Sequence, residues 1–171
     1  LDLGDDSVAG FASALNESER ARAQRYRIAS KRTEFIVTRG LLRRAIAWAM
    51  GAADLNVAAR DVAFSFGNHG KPFVVGPHDA MTLRCNVSHT RGLAVIAVAR
   101  ERDVGVDIEH VGRVKDYLAL ARRYFSPGEY DALAALPADD QQRAFFRCWT
   151  RKEAYLKAVG SGITLGLHNF D

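Results

Sequence analysis

The spacing of apolar residues changes twice along the chain, and this restricts the folds that the sequence can adopt. In the first third, apolar side chains recur at helical intervals, as Phe35, Leu42 and Ile46 do. Between residues 64 and 99, short alternating apolar runs are separated by turn residues, which is typical of strands. Helical spacing returns after residue 114. We therefore expect a chain that contains both helices and strands.

Capping residues mark the first helices. Asn16, with Glu19 three residues later, predicts the start of a polar helix that runs to about Ile28. A second helix is predicted from about Lys31 to Met50, with its end at Gly51.

Short strands are predicted to follow at residues 64–66, 73–75, 83–87 and 93–99. The last two surround Ser88-His89-Thr90-Arg91-Gly92, which predicts a hairpin with functional groups at its tip. A further strand is expected from about Val104 to Ile108.

The C-terminal part is predicted to be mainly helical. One helix is expected from Val114 to Tyr124, and Ser126 caps another with Pro127 at its first position. A long helix begins after Pro137 and ends at Gly160 or Gly162, and residues 165–171 resemble the opening of a strand.

Helices followed by strands, repeated after a break near residue 102, predict two similar halves. The first residue is Leu1, so we expect residues to be missing at both ends.

Two acidic segments indicate a site for a divalent cation. If the segment Gly-Val-Asp-Ile-Glu forms a strand, its Asp107 and Glu109 lie on one face. A helix that carries Glu153 could add a third carboxylate, and few carboxylates with waters and phosphate oxygens are how proteins hold Mg²⁺. Lys152 and Lys157 flank Glu153 and could contact a phosphate. These residues indicate chemistry at a Mg²⁺-bound phosphoester or pyrophosphate.

Each segment also has an ordinary interpretation. Asp107 and Glu109 on a strand are typical of a solvated face. Glu153 and Lys157 are equally typical of an i,i+4 pair on an exposed helix. The combination of the two segments favours the functional interpretation.

Four motifs, in order along the chain, resemble those of one family. They are Gly70-Lys71-Pro72, Asn86-Val87-Ser88-His89-Thr90, Gly105-Val106-Asp107-Ile108-Glu109, and Trp149-Thr150-Arg151-Lys152-Glu153-Ala154 followed by Lys157. Together they are similar to the signature of the 4′-phosphopantetheinyl transferases, in the larger, Sfp-type branch. Cys85 stands where an aromatic is common and Thr90 where serine is common, and neither change removes a group that the chemistry needs.

The resemblance implies an α+β fold, with a pseudo-twofold arrangement of two similar α/β halves and the active site in the cleft between them. Residues 1–102 would form the N-terminal half, which binds the phosphates of coenzyme A. Residues 103–171 would form the C-terminal half, with the metal site, the catalytic helix and strands missing at its end.

The resemblance also assigns roles to individual residues. Coenzyme A phosphates are expected to bind Lys31, Arg32, Arg39, Lys71, Ser88, His89 and Lys157. Mg²⁺ is expected to bind Asp107, Glu109 and Glu153.

The implied reaction transfers the 4′-phosphopantetheine arm of coenzyme A to a serine of an apo acyl or peptidyl carrier protein and releases 3′,5′-ADP. Glu153 would act as the base for the serine hydroxyl, either directly or through a metal-bound water. Lys157 would stabilise or protonate the departing phosphate, with Lys152 as a second candidate for that role. The carrier is expected to dock at residues 113–125, where Arg122 and Arg123 suit acidic helices.

The charge distribution indicates an anionic partner. The net charge is +4, and nine arginines and lysines lie between Arg20 and Arg44. A solvated helix face is the ordinary alternative. Nucleic acid is another, but Tyr26 and Phe35 alone offer stacking surfaces within the cluster. With the resemblance, we expect a nucleotide with several phosphates and no nucleic acid.

Composition predicts the compartment. The only two cysteines, Cys85 and Cys148, favour a reducing cytoplasm and are expected to be small buried side chains. No apolar run approaches the ~20 residues needed to cross a bilayer, so we expect a cytoplasmic protein with no membrane partner. Two similar halves in one chain would allow a monomer.

Two competing functions use the same residues. A metal-dependent nuclease or pyrophosphatase could employ these carboxylates, but Glu109 is followed by His110 and Val111 rather than by the Glu-x-Lys order common in nucleases. A non-enzymatic nucleic-acid-binding module could be built on the basic cluster.

Overall fold

Helices and one antiparallel sheet occupy separate parts of the chain, which confirms the α+β class. A computed structural model describes residues 5–51, 57–67, 70–76, 82–112, 114–160 and 166–170. The order is α1 (Asp5–Ala12), α2 (Glu17–Gln24), α3 (Ala29–Gly51), β1 (Ala63–Phe66), β2 (Pro72–Val75), β3 (Leu83–Thr90), β4 (Leu93–Arg100), α4 (Tyr117–Tyr124), α5 (Pro127–Ala134) and α6 (Ala138–Val159). Short 3-10 turns lie at Ala59–Asp61 and Leu167–Asn169. Within these ranges, no helix is both long and apolar enough to cross a membrane.

The sheet packs against α3. Its strands are antiparallel in the order β1-β2-β3-β4, and β3 pairs with β4 along their whole length, from Leu83 opposite Arg100 to Thr90 opposite Leu93. The apolar face of α3 covers this sheet, and the core so formed contains Leu42, Ile46, Ala49, Met50, Val62, Val74, Leu83 and Cys85. Burial of such side chains stabilises a fold by about 1.5–3 kcal/mol each.

A buried arginine ties α2 and α3 to the start of the sheet. Arg43 is 1% exposed, and its guanidinium donates to Glu19 Oε2 at 2.5 Å. It also donates to the carbonyl oxygens of Ala59, Arg60 and Val62, at 3.0, 3.0 and 2.8 Å. A buried charge is tolerated only when it is paired and hydrogen-bonded, and Arg43 meets both conditions. Arg43 therefore belongs to the core and not to an anion-binding surface.

The three C-terminal helices form a second core rich in aromatic rings. It contains Phe125, Leu133, Phe145 and Phe146, with Trp149 packed at its edge. The ring centroids of Trp149 and Phe145 are 5.6 Å apart, within the range of favourable aromatic pairs. Trp149 thus anchors α6, as expected.

The two cysteines are inert side chains. Cys85 is fully buried, whereas Cys148 is only half-buried. Burial raises the pKa of the Cys85 thiol to about 11. Burial, with the nearby Glu129 carboxylate, raises that of Cys148 to about 12. Both therefore stay protonated near neutral pH.

The predicted helix caps are confirmed. Asn16 with Glu19, and Ser126 with Glu129, both form reciprocal capping boxes at the starts of α2 and α5. The long helix α6 ends at Gly160, whose φ of +72° is the left-handed conformation that favours glycine.

The hairpin differs from its prediction in one respect that matters for function. Strand β3 runs to Thr90, so Ser88 and His89 lie within the strand and not at the tip. The turn itself consists of Arg91 and Gly92, both with positive φ. Alternation along β3 buries Ser88 and exposes His89, so the two side chains face opposite sides of the strand.

Other predicted boundaries were wrong. Helix α2 ends at Gln24 rather than near Ile28, and α4 begins at Tyr117, where Asp116 provides the cap. Residues 104–108 form no strand. The described part of the C-terminal half contributes no sheet, and residues 167–169 form a 3-10 turn. Gly162, Leu165 and Asp171 lie outside the described residues.

Candidate active site

A cavity of about 570 Å³ lies between α3, the turn before β2, β3 and α6. Six basic side chains line it: Arg22, Lys31, Arg39, Lys71, His89 and Lys157. Two carboxylates, Glu34 and Glu153, also line it. A concave site with this excess of positive groups attracts anionic ligands.

Side chains of β3 hold the segment that carries Asp107. Asn86 Oδ1 accepts a hydrogen bond from the backbone N–H of Val106 at 3.0 Å. Ser88 Oγ accepts one from the N–H of Ile108 at 3.2 Å and donates to Asp107 Oδ1 at 2.8 Å. This explains why residues 104–108 form no strand. The amides that a ladder would use are bonded to side chains of β3 instead.

Gly105 allows the same segment to lie against α6. A Cβ at this position would be 1.9 Å from the carbonyl oxygen of Ala154 and 2.5 Å from the nitrogen of Ala158. Only a glycine fits this close approach of two backbones. As a result, the residues that follow Gly105 lie beside the face of α6 that carries Glu153 and Lys157.

Replacing Gly105 with Ala is therefore expected to damage both fold and site. The added methyl group must push the segment away from α6, and overpacking of this kind costs about 1–3 kcal/mol of unfolding free energy. Urea denaturation measures the loss. Gly128→Ala is the matched control, because Gly128 lies in α5 with open space around its Cβ position. That variant should be as stable as the parent or more so. Equal stabilities of the two variants would contradict the proposed contact.

Lys157 and Asp107 form an ion pair at the edge of the cavity, which Lys157 lines. Lys157 Nζ is 2.6 Å from Asp107 Oδ1, and it also donates to Ser88 Oγ at 3.0 Å. The Asp107 side chain is only 6% exposed. Three of the four motifs meet at this point, because Ser88, Asp107 and Lys157 belong to different ones.

Glu153 lies in an environment that disfavours its charge. Burial raises the pKa of its carboxyl group, and the nearby carboxylates of Asp107 and Glu109 raise it further, whereas Lys157 lowers it. Its Oε1 atom and Asp107 Oδ2 are both buried without a hydrogen-bond partner. Unpartnered buried carboxylate oxygens are costly unless a ligand or ion satisfies them.

The expected convergence of carboxylates is only partial. Within the described ranges, no three His, Cys, Asp or Glu side chains lie close enough together to form a complete metal-ligand set. Asp107 and Glu109 are near enough to affect the pKa of Glu153, but the ammonium of Lys157 is held on Asp107.

Arg39 presents a buried donor with no acceptor. Its Nη1 atom is buried without a hydrogen-bond partner, although Nε lies 3.4 Å from Glu19 Oε1. Burial is the main cause that lowers the pKa of Arg39, and the adjacent Arg22 and Arg43 contribute. An unsatisfied guanidinium N–H in a cavity is well suited to bind an anionic oxygen.

Lys31 and His89 contact the same carboxylate at the side of the cavity. Lys31 Nζ is 2.8 Å from Glu34 Oε2, and His89 Nε2 is 3.0 Å from Glu34 Oε1. The cavity thus brings together these two predicted residues, one from α3 and one from β3.

Lys71 is buried and reaches the end of α6. Its ammonium donates to the carbonyl oxygen of Ala158 and lies 3.5 Å from Asp103 Oδ1. A cation at a helix C-terminus is favourable, because the last carbonyls lack partners and carry partial negative charge. Lys71 therefore links the sheet to α6 while it lines the cavity.

Five predicted residues are absent from the lining of the cavity: Arg32, Ser88, Asp107, Glu109 and Lys152. Ser88 and Asp107 contact Lys157, which does line it, whereas Arg32 and Lys152 are bonded elsewhere. Arg32 is exposed and donates to the carbonyl oxygen of Tyr26 at 3.0 Å. Lys152 is 3% exposed and lies on another face of α6, 2.7 Å from Glu129 Oε2. It also donates to the carbonyl oxygens of Leu167 and Phe170. Neighbouring helical residues point about 100° apart, so Lys152 is directed away from the side on which Glu153 lies.

No site role was predicted for Arg22, Glu34 or Asn86. Arg22 lines the cavity with its guanidinium 5.1 Å from the centre of the Phe35 ring. It stands in the basic cluster of the sequence, but nothing local separates it from arginines that bind backbone carbonyls. Asn86 lies in one of the four motifs. Because it is two residues from Ser88 on a predicted strand, the sequence could have indicated that both side chains face the same side.

The cavity and its carboxylates indicate the general class of this protein. A basic cavity beside buried, partly unsatisfied carboxylates is typical of a protein that binds a phosphorylated ligand. The particular family follows from comparison with known proteins.

Residues 103–171 match the sequence model of the 4′-phosphopantetheinyl transferase superfamily, and residues 5–101 match that of the 4′-phosphopantetheinyl transferase N-terminal region. The 4′-phosphopantetheinyl transferase HetI of Nostoc sp. is 37% identical over 95% of this chain and 67% of its own length. A putative 4′-phosphopantetheinyl transferase of Synechocystis sp. is 32% identical over 94% of this chain and 63% of its own. The 4′-phosphopantetheinyl transferase Sfp of Bacillus subtilis is 36% identical over 64% of this chain and 46% of its own.

The chain belongs to the 4′-phosphopantetheinyl transferase superfamily, a family of transferases, which confirms the resemblance of the four motifs. It spans about two thirds of the length of HetI and less than half of that of Sfp.

Proposed function

We propose that this protein transfers the 4′-phosphopantetheine arm of coenzyme A to a serine of an apo acyl or peptidyl carrier protein. The observation that carries the proposal is the meeting of Ser88, Asp107 and Lys157, with Glu153 nearby, at the edge of a cavity lined by six basic groups. Coenzyme A carries several phosphates, so it has the charge that such a cavity attracts.

The carboxylates fit a divalent cation. Asp107 Oδ2 and Glu153 Oε1 are buried without partners, and carboxylate oxygens are the ligands that Mg²⁺ uses. We propose that Asp107, Glu109 and Glu153 hold Mg²⁺. Bound there, it would neutralise negative charge on the pyrophosphate of coenzyme A.

The basic groups of the cavity would bind the phosphates of coenzyme A. Arg39 has a buried N–H without an acceptor, and His89 and Lys31 lie at the side of the same cavity. We propose these three, with Lys71 and Arg22, as phosphate contacts. Ser88 supports the site through Asp107, and its hydroxyl is already used by three polar partners.

Glu153 and Lys157 would have different roles in the reaction. Glu153 takes the proton from the carrier serine, whose oxygen forms a bond to the phosphorus that bears the pantetheine arm. The bond from this phosphorus to the oxygen of 3′,5′-ADP breaks. Lys157 stabilises the charge that develops on the departing phosphate, because its ammonium is held at the site by Asp107.

We also propose that the chain divides near residue 102 into a half that binds coenzyme A and a half that carries the metal and catalytic helix, related by a pseudo-twofold arrangement. The similar lengths of α3 and α6, 23 and 22 residues, and the position of the cavity between them support this. The protein would act as a cytoplasmic monomer, without nucleic acid or membrane partners.

The carrier protein would dock beside α4. Arg122 and Arg123 are exposed on this helix, and exposed cations suit the acidic helices of carriers. Arg113, the first residue of the predicted docking segment, lies outside the described residues.

Intact-mass analysis tests the reaction directly. Several apo carriers are incubated with coenzyme A, Mg²⁺ and the protein, and a carrier that gains the mass of one phosphopantetheine arm supports the proposal. A serine-to-alanine carrier serves as the control. If no apo carrier is modified while coenzyme A is cleaved, a pyrophosphatase activity would replace the proposal.

Binding of coenzyme A is expected to depend on salt and on its 3′-phosphate. Because charged contacts are screened by ions, affinity should fall as ionic strength rises. Dephospho-coenzyme A should bind more weakly, since it lacks one group that Lys31, Arg39, Lys71 and His89 would contact. Isothermal titration calorimetry measures both effects. Equal affinities for the two ligands would rule out the 3′-phosphate contact.

A further inference from the structure

Glu34 lies between two of the side chains that we assign to phosphate binding, Lys31 and His89. Its Oε2 atom is 2.8 Å from Lys31 Nζ, and its Oε1 atom is 3.0 Å from His89 Nε2. Lys31 and Glu34 lie one turn apart on α3, whereas His89 reaches the same point from β3. The carboxylate thus holds both donors with its two oxygens, as two oxygens of a phosphate would.

A phosphate cannot bond to His89 Nε2 while Glu34 does, and it would share the Lys31 ammonium with the same carboxylate. Two anions at adjacent hydrogen-bonding positions repel each other, and each would oppose the binding of the other. The Glu34 side chain is 30% exposed, so it can turn towards solvent when a phosphate binds. Exposed ion pairs are individually weak, so their loss would reduce affinity by a modest factor and would not block binding.

We propose that Glu34 is an internal competitor for the phosphate of coenzyme A and that it promotes release of the nucleotide product. This inference rests on the proposed function. When 3′,5′-ADP begins to leave, Glu34 can contact Lys31 and His89 again, so the cations are never left without an anion. Affinity for substrate and for product is therefore held below what the cations alone would give.

The test is Glu34→Gln, which keeps the size of the side chain and removes its charge. Calorimetry should show that this variant binds coenzyme A and 3′,5′-ADP about three- to tenfold more tightly than the parent, the range that weak ion pairs allow. Glu17→Gln is the matched control. It changes the net charge equally, but Glu17 is exposed in the first turn of α2 and does not line the cavity.

The outcomes separate the inference from the proposed function. If the parent binds coenzyme A and Glu34→Gln binds it equally or more weakly, Glu34 is not a competitor, and the inference is overturned alone. An equal gain in Glu17→Gln would also overturn it, because net charge would explain the effect. A parent protein that binds neither ligand would defeat the proposed function and this inference together.

Discussion

Replacing Asp107 with Asn is expected to reduce phosphopantetheine transfer by at least about 100-fold, the scale of losing one electrostatic contact in a transition state. The amide can still accept the hydrogen bond from Ser88, so the network that positions residues 106–108 should survive. The amide carries no charge. Mg²⁺ therefore loses one proposed carboxylate ligand, and Lys157 loses its counter-ion. Transfer is measured by the mass of the carrier product, and the fold by circular dichroism and thermal unfolding.

Asp61→Asn is the control for this prediction. Its side chain is 64% exposed, lies beside Arg60 and does not line the cavity. It should keep the activity and the stability of the parent. Full transfer activity in Asp107→Asn would defeat the assignment of Asp107 to the site.

Glu153→Gln and Lys157→Met are expected to have opposite effects on Mg²⁺ binding, although both should lose transfer activity. Glu153→Gln removes a proposed ligand, so Mg²⁺ affinity should fall. Lys157→Met removes the ammonium that now holds Asp107 Oδ1, so Asp107 becomes more available and Mg²⁺ should bind at least as tightly as to the parent. Titration of Mg²⁺ in the presence of coenzyme A measures the difference. Equal loss of Mg²⁺ binding in both variants would disprove this division of roles.

The effect of Glu153→Gln on stability can be measured without metal. Burial raises the pKa of Glu153 above its ordinary value of 4.5, so the folded chain holds this proton more tightly than the unfolded chain. The pKa of Glu153 is therefore higher in the folded state than in the unfolded state. As the pH rises through these two values, ionisation of Glu153 lowers the free energy of unfolding. Without Mg²⁺, Glu153→Gln should unfold at a higher temperature than the parent at neutral pH. This gain should disappear below about pH 4, where Glu153 is protonated in both states.

Such a gain in stability would have a functional meaning. A carboxylate that is costly to bury is retained where its charge is needed, and removal of such a group often stabilises a protein while it abolishes activity. If Glu153→Gln were less stable than the parent at neutral pH, Glu153 would be a structural residue rather than a base or metal ligand.

Local features of the fold could be predicted because they depend on nearby residues. Asn16 with Glu19 and Ser126 with Glu129 form capping boxes within four residues, so the starts of α2 and α5 were predicted correctly. The motif segments also indicated which chemical groups were present. By contrast, the strand expected at residues 104–108 was wrong, because the hydrogen bonds of its amides go to Asn86 and Ser88, which are distant in sequence.

The sequence also could not show which arginines of the basic cluster are paired in the core. Arg39 and Arg43 lie one turn apart on α3, yet Arg43 is fully paired in the core while Arg39 keeps a buried N–H without an acceptor. Spacing placed both on one helix, but only packing against the sheet and α2 determined which guanidinium finds acceptors for its N–H groups.

The sequence by itself predicted α2 to α6, strands β1 to β4, the caps and the family, because periodicity, capping and motif spacing act over a few residues. The tertiary structure alone decided which charged groups meet. Lys71 contacts the carbonyl of Ala158, 87 residues away, and Lys157 contacts Asp107 rather than its helical neighbour Glu153. Lys152 is buried against Glu129 and does not reach the cavity. Such pairings depend on which faces of the helices and strands pack together, and burial then selects the charges that must find partners.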